Sequence, residues 1–563
     1  MAEPRTSFEI GGMGHSVKRK EDPRFIRGQG NYVDDIVRPG MVFMDIVRSP
    51  YAHAKIKSIN TEKALAHPGV AAVITGETLK EYNLHMMPTL MSDTQMVLPI
   101  EKVCYQAQEV AAVIATDRYS AADGVELVEV EYEPLPVVTD PFKATAKDAP
   151  IIRDDKEGQD SNHIFHWESG DKKGTAQAFK DADVTVKQDI YLPRIHVASI
   201  ETCGCVSEFD SVTGQLTVWM TTQAPHAIRT VLALVAGHVG LQEDKIRVIS
   251  PDIGGGFGGK VPVYPGYVIA VAASVVTGLP IKWIEDRREN LQADSFARDY
   301  HMTCEIAADK DGTMKALRIK TLADHGYADA ACNPSKWPAG LFSICTGSYD
   351  FKNAFTEVDG VYTNKPPGGI AYRCSFRVTE AVHAIERMVD MVADELGMDA
   401  AEIRMNNFIP KDAFPYKSPM GWEYDSGDYH GALKLAMDKI GYDKLLKEQA
   451  KKREKGELMG IGISSFTEVV GAGPSKDFDI LGIKMFDSSE IRIHPTGKVM
   501  ARFGTKSQGQ GHETTYAQII AEELGIPHTD ISVEEGDTDT APYGLGTYAS
   551  RSTPTAGAAA AMA

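Results

Sequence analysis

A chain of 563 residues is too long for one hydrophobic core and implies roughly three or more domains. With 43% hydrophobic and 24% charged residues and no low-complexity tract, the composition is that of a folded protein. The formal net charge of −19 argues against DNA or an anionic membrane surface as the main partner.

The first residues, Met1 to Ser16, are polar and glycine-rich, with no apolar segment of a signal peptide. No run of apolar residues is long enough to span a membrane. A basic cluster follows: Lys18, Arg19, Lys20, Arg24 and Arg27. It reads as a solvated surface arm, with contact to a partner subunit as the sharper alternative. A first domain is expected over 16–141, with strands at Met41–Val47, Val70–Ile74 and Val110–Ile114, a helical piece at Arg118–Gly124 and a closing strand within Gly124–Val138. The polar stretch 142–174 reads as a linker.

A second, α/β domain is expected over 175–440. Its strands fall at Val184–Leu192, Leu216–Thr222, Ile246–Ile249 and His301–Ala307, and its helices at His226–Val239 and Tyr267–Thr277. Apolar residues Val382, Ile385, Val389, Val392 and Leu396 recur at spacings of three and four, so Thr379–Leu396 reads as the best helix, stopped by Gly397. A charged stretch, Lys444–Glu457, leads into a third unit, 441–563, with strands near Ile461–Phe466 and Ser489–Ile493 and a helix near Thr515–Leu524. That unit ends in "TPTAGAAAAMA", where a small-residue helix is starting, so a longer natural chain is expected.

The seven cysteines (104, 203, 205, 304, 332, 345 and 374) form no CxxC pair, so spacing supports neither an iron–sulfur cluster nor a structural zinc site, and reduced, cytoplasmic thiols are expected. Cys203 and Cys205 share one face of a strand, a weak metal signal. Three loops are rich in glycine. Asp252–Lys260 carries five glycines around Phe257 and satisfies both GxGxxG and GxxxxGK on paper. Val261 replaces the hydroxyl that magnesium needs, and Pro262 and Pro265 argue against a helix N-terminus behind the glycines. What remains is bare backbone whose N–H groups can closely approach an anionic or oxo ligand. In Thr505–Thr514, the side chains of Gln508, Gln510, His512 and Thr514 suit a large polar cofactor. In Gly544–Thr553, Ser550, Arg551 and Ser552 could hold a phosphate. Each of these two, taken alone, also reads as an ordinary exposed turn.

A fourth loop, Pro366–Arg377, is the specific one. Prolines and glycines favour a tight reversal before Cys374, and Arg373 and Arg377 flank it ahead of the long helix. Two guanidiniums and a helix N-terminus favour thiolate, the preferred ligand of Cu(I). A lone cysteine is otherwise most often a small buried hydrophobe.

Together these segments resemble the large subunit of the xanthine oxidase family of molybdenum hydroxylases, over essentially the whole chain. "KRKEDPRFIRGQGNYVDDI" and "RSPYAHAKI" are similar to the opening of its hammerhead domain, and "TTQAPHAIR", "GGGFGGK" and "GQGH" to its molybdenum–pterin segments. "AYRCSFR" is similar to the loop of a copper-containing branch that oxidises carbon monoxide. The resemblance implies a mixed α/β, α+β fold: a hammerhead domain over 16–141, a first molybdopterin-binding domain with the active-site loop over 175–440, and a second, incomplete one over 441–563. It also implies a molybdopterin cytosine dinucleotide whose molybdenum is bridged by sulfide to Cu(I). Cys374 would be the copper ligand, Gln223 would hydrogen-bond a molybdenum oxo group, and Arg373 would pack beside the cluster. The backbone of Gly255, Gly256, Phe257 and Gly258 would line the site. Gln510, Gly511, His512, Thr514, Ser550, Arg551 and Ser552 would hold the pterin and its nucleotide tail.

The expected reaction converts carbon monoxide and water to CO2, two electrons and two protons. The electrons would pass to a small iron–sulfur subunit with 2Fe–2S clusters and a medium FAD subunit, in a dimer of heterotrimers located in the cytoplasm or peripherally at the inner membrane face. The family's glutamate in a glycine-flanked motif near the end of the large subunit has no counterpart in this sequence. Two other readings stay open: a copper-free hydroxylase of aldehydes or N-heterocycles, and a non-catalytic cofactor-binding or thiol redox-sensing protein.

Overall fold

The computed structural model describes residues 6–89, 93–328, 344–370, 372, 379–468, 470–471 and 485–563. Its organising element is a seven-stranded sheet in the order Ile246–Ile249, Gln215–Met220, Gly204–Asp210, Ile281–Ile284, Val42–Arg48, Glu109–Ala115, Val70–Thr75. The sheet joins the first two sequence units, because Val42–Arg48 pairs in parallel with Ile281–Ile284, Val42 opposite Ile281. Glu109–Ala115 is buried at every position, as a strand covered on both faces must be. Helices Pro225–Ala236 and Pro265–Thr277 contribute to the same core, the latter buried from Pro265 through Ser274.

A five-stranded sheet follows, in the order Val184–Leu192, Tyr300–Ala308, Met314–Asp324, Asn353–Val361, His163–Gly170. Helix Thr379–Leu396 has the expected bounds and buries Ile385, Met388, Val389 and Val392 against it. The last unit is a three-stranded sheet, Ser489–Ile493, Val499–Phe503 and Ile531–Glu535, covered by helix His512–Leu524 through Tyr516, Ala517 and Ile520.

Several local expectations shift. Gly124–Leu127 completes the helix Arg118–Leu127, and the strand after it is only Glu129–Pro134. The stretch 142–174 contains the edge strand His163–Gly170 and the start of helix Lys172–Lys180, capped by Asp171. Residues 461–466 form no strand. A helix does follow the first glycine loop, with Pro265 at its first turn, where a missing N–H costs nothing.

The basic cluster is not a solvated arm throughout, because three of its members bind within the chain. Arg19 donates to the Gly509 carbonyl at 2.7 Å. The Lys20 ammonium donates to the carbonyls of His528, at 2.9 Å, and Ile531. Arg24 forks onto Asp252 and reaches Glu513 at 3.1 Å. The N-terminal segment thereby straps the last unit to the first glycine loop. Among the described residues no helix is long and apolar enough to cross a membrane.

Candidate active site at the meeting of three glycine-rich loops

The three glycine-rich loops, far apart in sequence, line one cavity of about 920 Å³. Its wall includes Gly256, Phe257 and Gly258 from the first, Gln508 to Gln510 and His512 from the second, and Thr547 to Thr553 from the third, with Val197, Gln223, Tyr372 and Thr515 beside them. Backbone strain gathers on this wall. Phe257, Ala549 and Ser550 are non-glycine residues with φ of 55°, 52° and 54°, each costing about 1–2 kcal/mol that the surrounding packing must offset.

Gln223 is buried and holds two loops together. Its Oε1 accepts from Gly258 N–H at 2.9 Å and Lys260 N–H at 3.3 Å, and its Nε2 donates to the Thr547 carbonyl at 2.7 Å. Among the described residues its second amide hydrogen has no partner, and a ligand could accept it. A Cβ at position 256 would lie 2.6 Å from Gln223 Oε1, so glycine there is a packing requirement. Lys260 is withdrawn from any phosphate, because its ammonium lies buried and paired with Glu201 at 2.9 Å. The nucleotide-type reading of the loop therefore fails on the lysine itself.

His512 opens helix His512–Leu524 and faces the cavity, and its Nδ1 meets Glu535 Oε1 at 2.8 Å. Burial pushes the Glu535 carboxyl up. The hydrogen bond and charge of His512, with Lys506 and the Thr505 hydroxyl, outweigh that and hold it below the usual range. Glu535 is thus an ionised acceptor, so His512 carries its hydrogen on Nδ1. Sequence reading missed Glu535; only its place at the end of strand Ile531–Glu535 brings it under the helix.

Three expected cofactor ligands also have partners within the protein. Arg551 is 0% exposed. Its guanidinium pairs with Asp487 and donates to the carbonyls of Gly546 at 2.7 Å, Phe486 at 2.7 Å and Met485 at 3.1 Å, so both terminal nitrogens are engaged within the protein. Thr514 accepts from Lys20 N–H and donates to Glu21, both at 2.8 Å, while its neighbour Thr515 lines the cavity. Gly511 is the helix N-cap, with φ of 87°, beside Arg19 rather than on the wall. Gly255 takes φ of 94°, and a Cβ there would lie 2.7 Å from the Phe257 ring. Ser550 and Ser552 do line it.

Arg373 and Cys374 lie outside the described residues, as does Cys332. The five described cysteines are all buried, and burial raises every one of their thiols, Cys104 and Cys304 to about 12. Cys203 donates to Asp294 at 3.6 Å, and Asn290 donates to both Asp294 and Glu285. This buried cluster is satisfied internally.

The cavity suits a molybdopterin dinucleotide. Its size is that of a cofactor site, and its wall offers amides, hydroxyls, an imidazole and bare backbone, with no carboxylate among the described lining residues. Matches to known families agree. Residues 27–136 match the a/b hammerhead domain of aldehyde oxidase and xanthine dehydrogenase, and residues 156–408 and 435–563 each match a molybdopterin cofactor-binding domain. Fold and site thus define a molybdopterin-binding large chain of the molybdenum hydroxylase class.

Individual relatives narrow the class. The chain is 61% identical to the carbon monoxide dehydrogenase large chain of Afipia carboxidovorans, over 99% of its own length and 70% of the relative's. The corresponding chain of Hydrogenophaga pseudoflava is 59% identical, over 100% and 71%. A crystal structure of a Cu,Mo-CO dehydrogenase superposes with a TM-score of 0.95 at 61% identity, covering 99% of this chain and 71% of that one. The chain belongs to the family of carbon monoxide dehydrogenase large chains.

Proposed function

We propose that this chain is the molybdenum- and copper-bearing subunit of an enzyme that oxidises carbon monoxide with water to CO2, releasing two electrons and two protons. The observation that carries this reading is the convergence of the three glycine-rich loops on one cofactor-sized cavity, in a chain 61% identical to a carbon monoxide dehydrogenase large chain. When bound, the metal pair supplies a soft site for carbon monoxide and a sink for two electrons.

The chain's own residues do the rest. The second amide hydrogen of Gln223 and the backbone of Gly256–Gly258 would face an anionic group of the cofactor without crowding it. Gln510, His512, Ser550 and Ser552 hold the pterin and its cytosine nucleotide tail, with His512 oriented by Glu535. Cys374 would supply the copper thiolate, and Arg373 is its neighbour in the sequence. Electrons leave through a small iron–sulfur subunit and a medium FAD subunit in a dimer of heterotrimers in the cytoplasm, since the sequence has no CxxC pair to hold a cluster of its own.

The test is the copper-to-molybdenum ratio, by elemental mass spectrometry, in the complex purified with its natural partners. A ratio near one is expected, and Cys374→Ser should lose copper while keeping molybdenum. Molybdenum without copper in the unaltered protein would favour an ordinary hydroxylase instead.

A further inference from the structure

The dipeptide Arg298-Asp299 enters strand Tyr300–Ala308 with both residues in the left-handed region, φ of 62° and 75°. Two consecutive non-glycine residues there cost about 1–2 kcal/mol each, so the surroundings must hold them in place. The side chains show what that conformation achieves. Asp299 Oδ2 accepts from Arg194 Nε and pairs with Lys365, both at 3.0 Å, and Arg194 Nη1 donates to the Pro366 carbonyl at 2.6 Å. Asp299 thus anchors the beginning of the loop that starts at Pro366. Arg298 serves the far end. Its Nη1 donates to the Tyr372 carbonyl at 3.2 Å, its Nη2 donates to Thr379 Oγ1 at 2.9 Å, and its Nε pairs with Glu380 at 2.8 Å. The guanidinium also lies over the Tyr372 ring, 5.0 Å from its centroid. Arg298 and Glu380 are 7% and 1% exposed, so the pair is withdrawn from competing water.

We propose that Arg298 is a positioning residue for the active cavity, because one guanidinium ties Tyr372, a wall of that cavity, to the first turn of helix Thr379–Leu396. All of the fork's edges are used, which a lysine cannot reproduce: an ammonium could still face Glu380 but could not bridge the carbonyl, the hydroxyl and the carboxylate together. The flanks of the segment that carries Cys374 in the sequence are thereby fixed relative to each other and to the sheet. This inference rests on the functional reading above for its catalytic consequence, but not for its structural one.

The experiment compares the complete complex bearing Arg298→Lys, or Thr379→Val, with the unaltered one. Peptide-level hydrogen exchange is read alongside kcat and KM for carbon monoxide. Losing a charge-assisted bond of this kind raises local opening about tenfold. Exchange in peptides spanning 366–380 should therefore quicken about tenfold in Arg298→Lys, and by less in Thr379→Val. The melting temperature and all other peptides should stay as they were, and kcat should fall with KM little changed. Unaltered exchange at 366–380 in both variants would overturn the inference. So would full rescue by lysine, which would reduce Arg298 to a counter-charge for Glu380, or faster exchange spread evenly over the molecule. If the unaltered complex oxidised no carbon monoxide, the functional reading would fall, and the exchange comparison would still judge Arg298.

Discussion

Bare backbone was readable at Gly256 and Gly258 because it is a local property of the chain. The direction of a side chain was not, because it depends on partners hundreds of residues away. Arg551 has the composition of a phosphate ligand, yet Asp487 and three carbonyls engage it. Burial pushes the Asp487 carboxyl up to about 6 even with Arg551 beside it. Arg551→Leu strands that carboxyl, and breaking such a buried pair costs about 3–5 kcal/mol; urea unfolding should show a loss of that order, and cofactor content should fall only as the fold does. Gly256→Ala should act differently. Its methyl would meet Gln223 Oε1 and part the first and third loops, so molybdenum content should drop severalfold while the melting temperature shifts only modestly.

Among the elements, helix Thr379–Leu396 was legible to the residue, since spacings of three and four over eighteen residues have no other use. Strands without a clean alternation were not. Asn353–Val361 and His163–Gly170 pair with each other and take their identity from that pairing, and the second lies in a polar stretch that looks like a linker. The end of strand Ile531–Glu535 likewise delivers Glu535 to His512, a link that sequence spacing cannot show. Glu535→Gln replaces an ionised acceptor by a neutral amide, weakening an orienting bond of about 1.5–3 kcal/mol. The expected result is a chain that folds but retains the dinucleotide about tenfold less well, measured by cofactor release during dialysis.

At the scale of the whole molecule, acid sensitivity follows from two buried imidazoles. Burial lowers His226 and His325 to about 4, with the Arg229 charge adding to the effect at His226. Above the usual 6.5 both folded and unfolded chains carry them neutral. As pH falls through 6.5 the unfolded chain takes the proton first, so the fold loses stability until about 4, on the order of 3 kcal/mol for His325. His325→Phe should flatten that part of the stability curve measured by denaturant titration between pH 7 and 4. The seven-stranded sheet has another consequence, for synthesis on the ribosome. Strand Val42–Arg48 emerges long before Ile281–Ile284, its parallel neighbour, has been made. Until then its outer edge offers unpaired amides beside apolar side chains, a surface that nascent chains of other molecules can join. A hammerhead unit cut free of the rest would keep that edge open permanently, and chaperones that shield nascent strands should matter more for this subunit than its domain sizes alone would suggest.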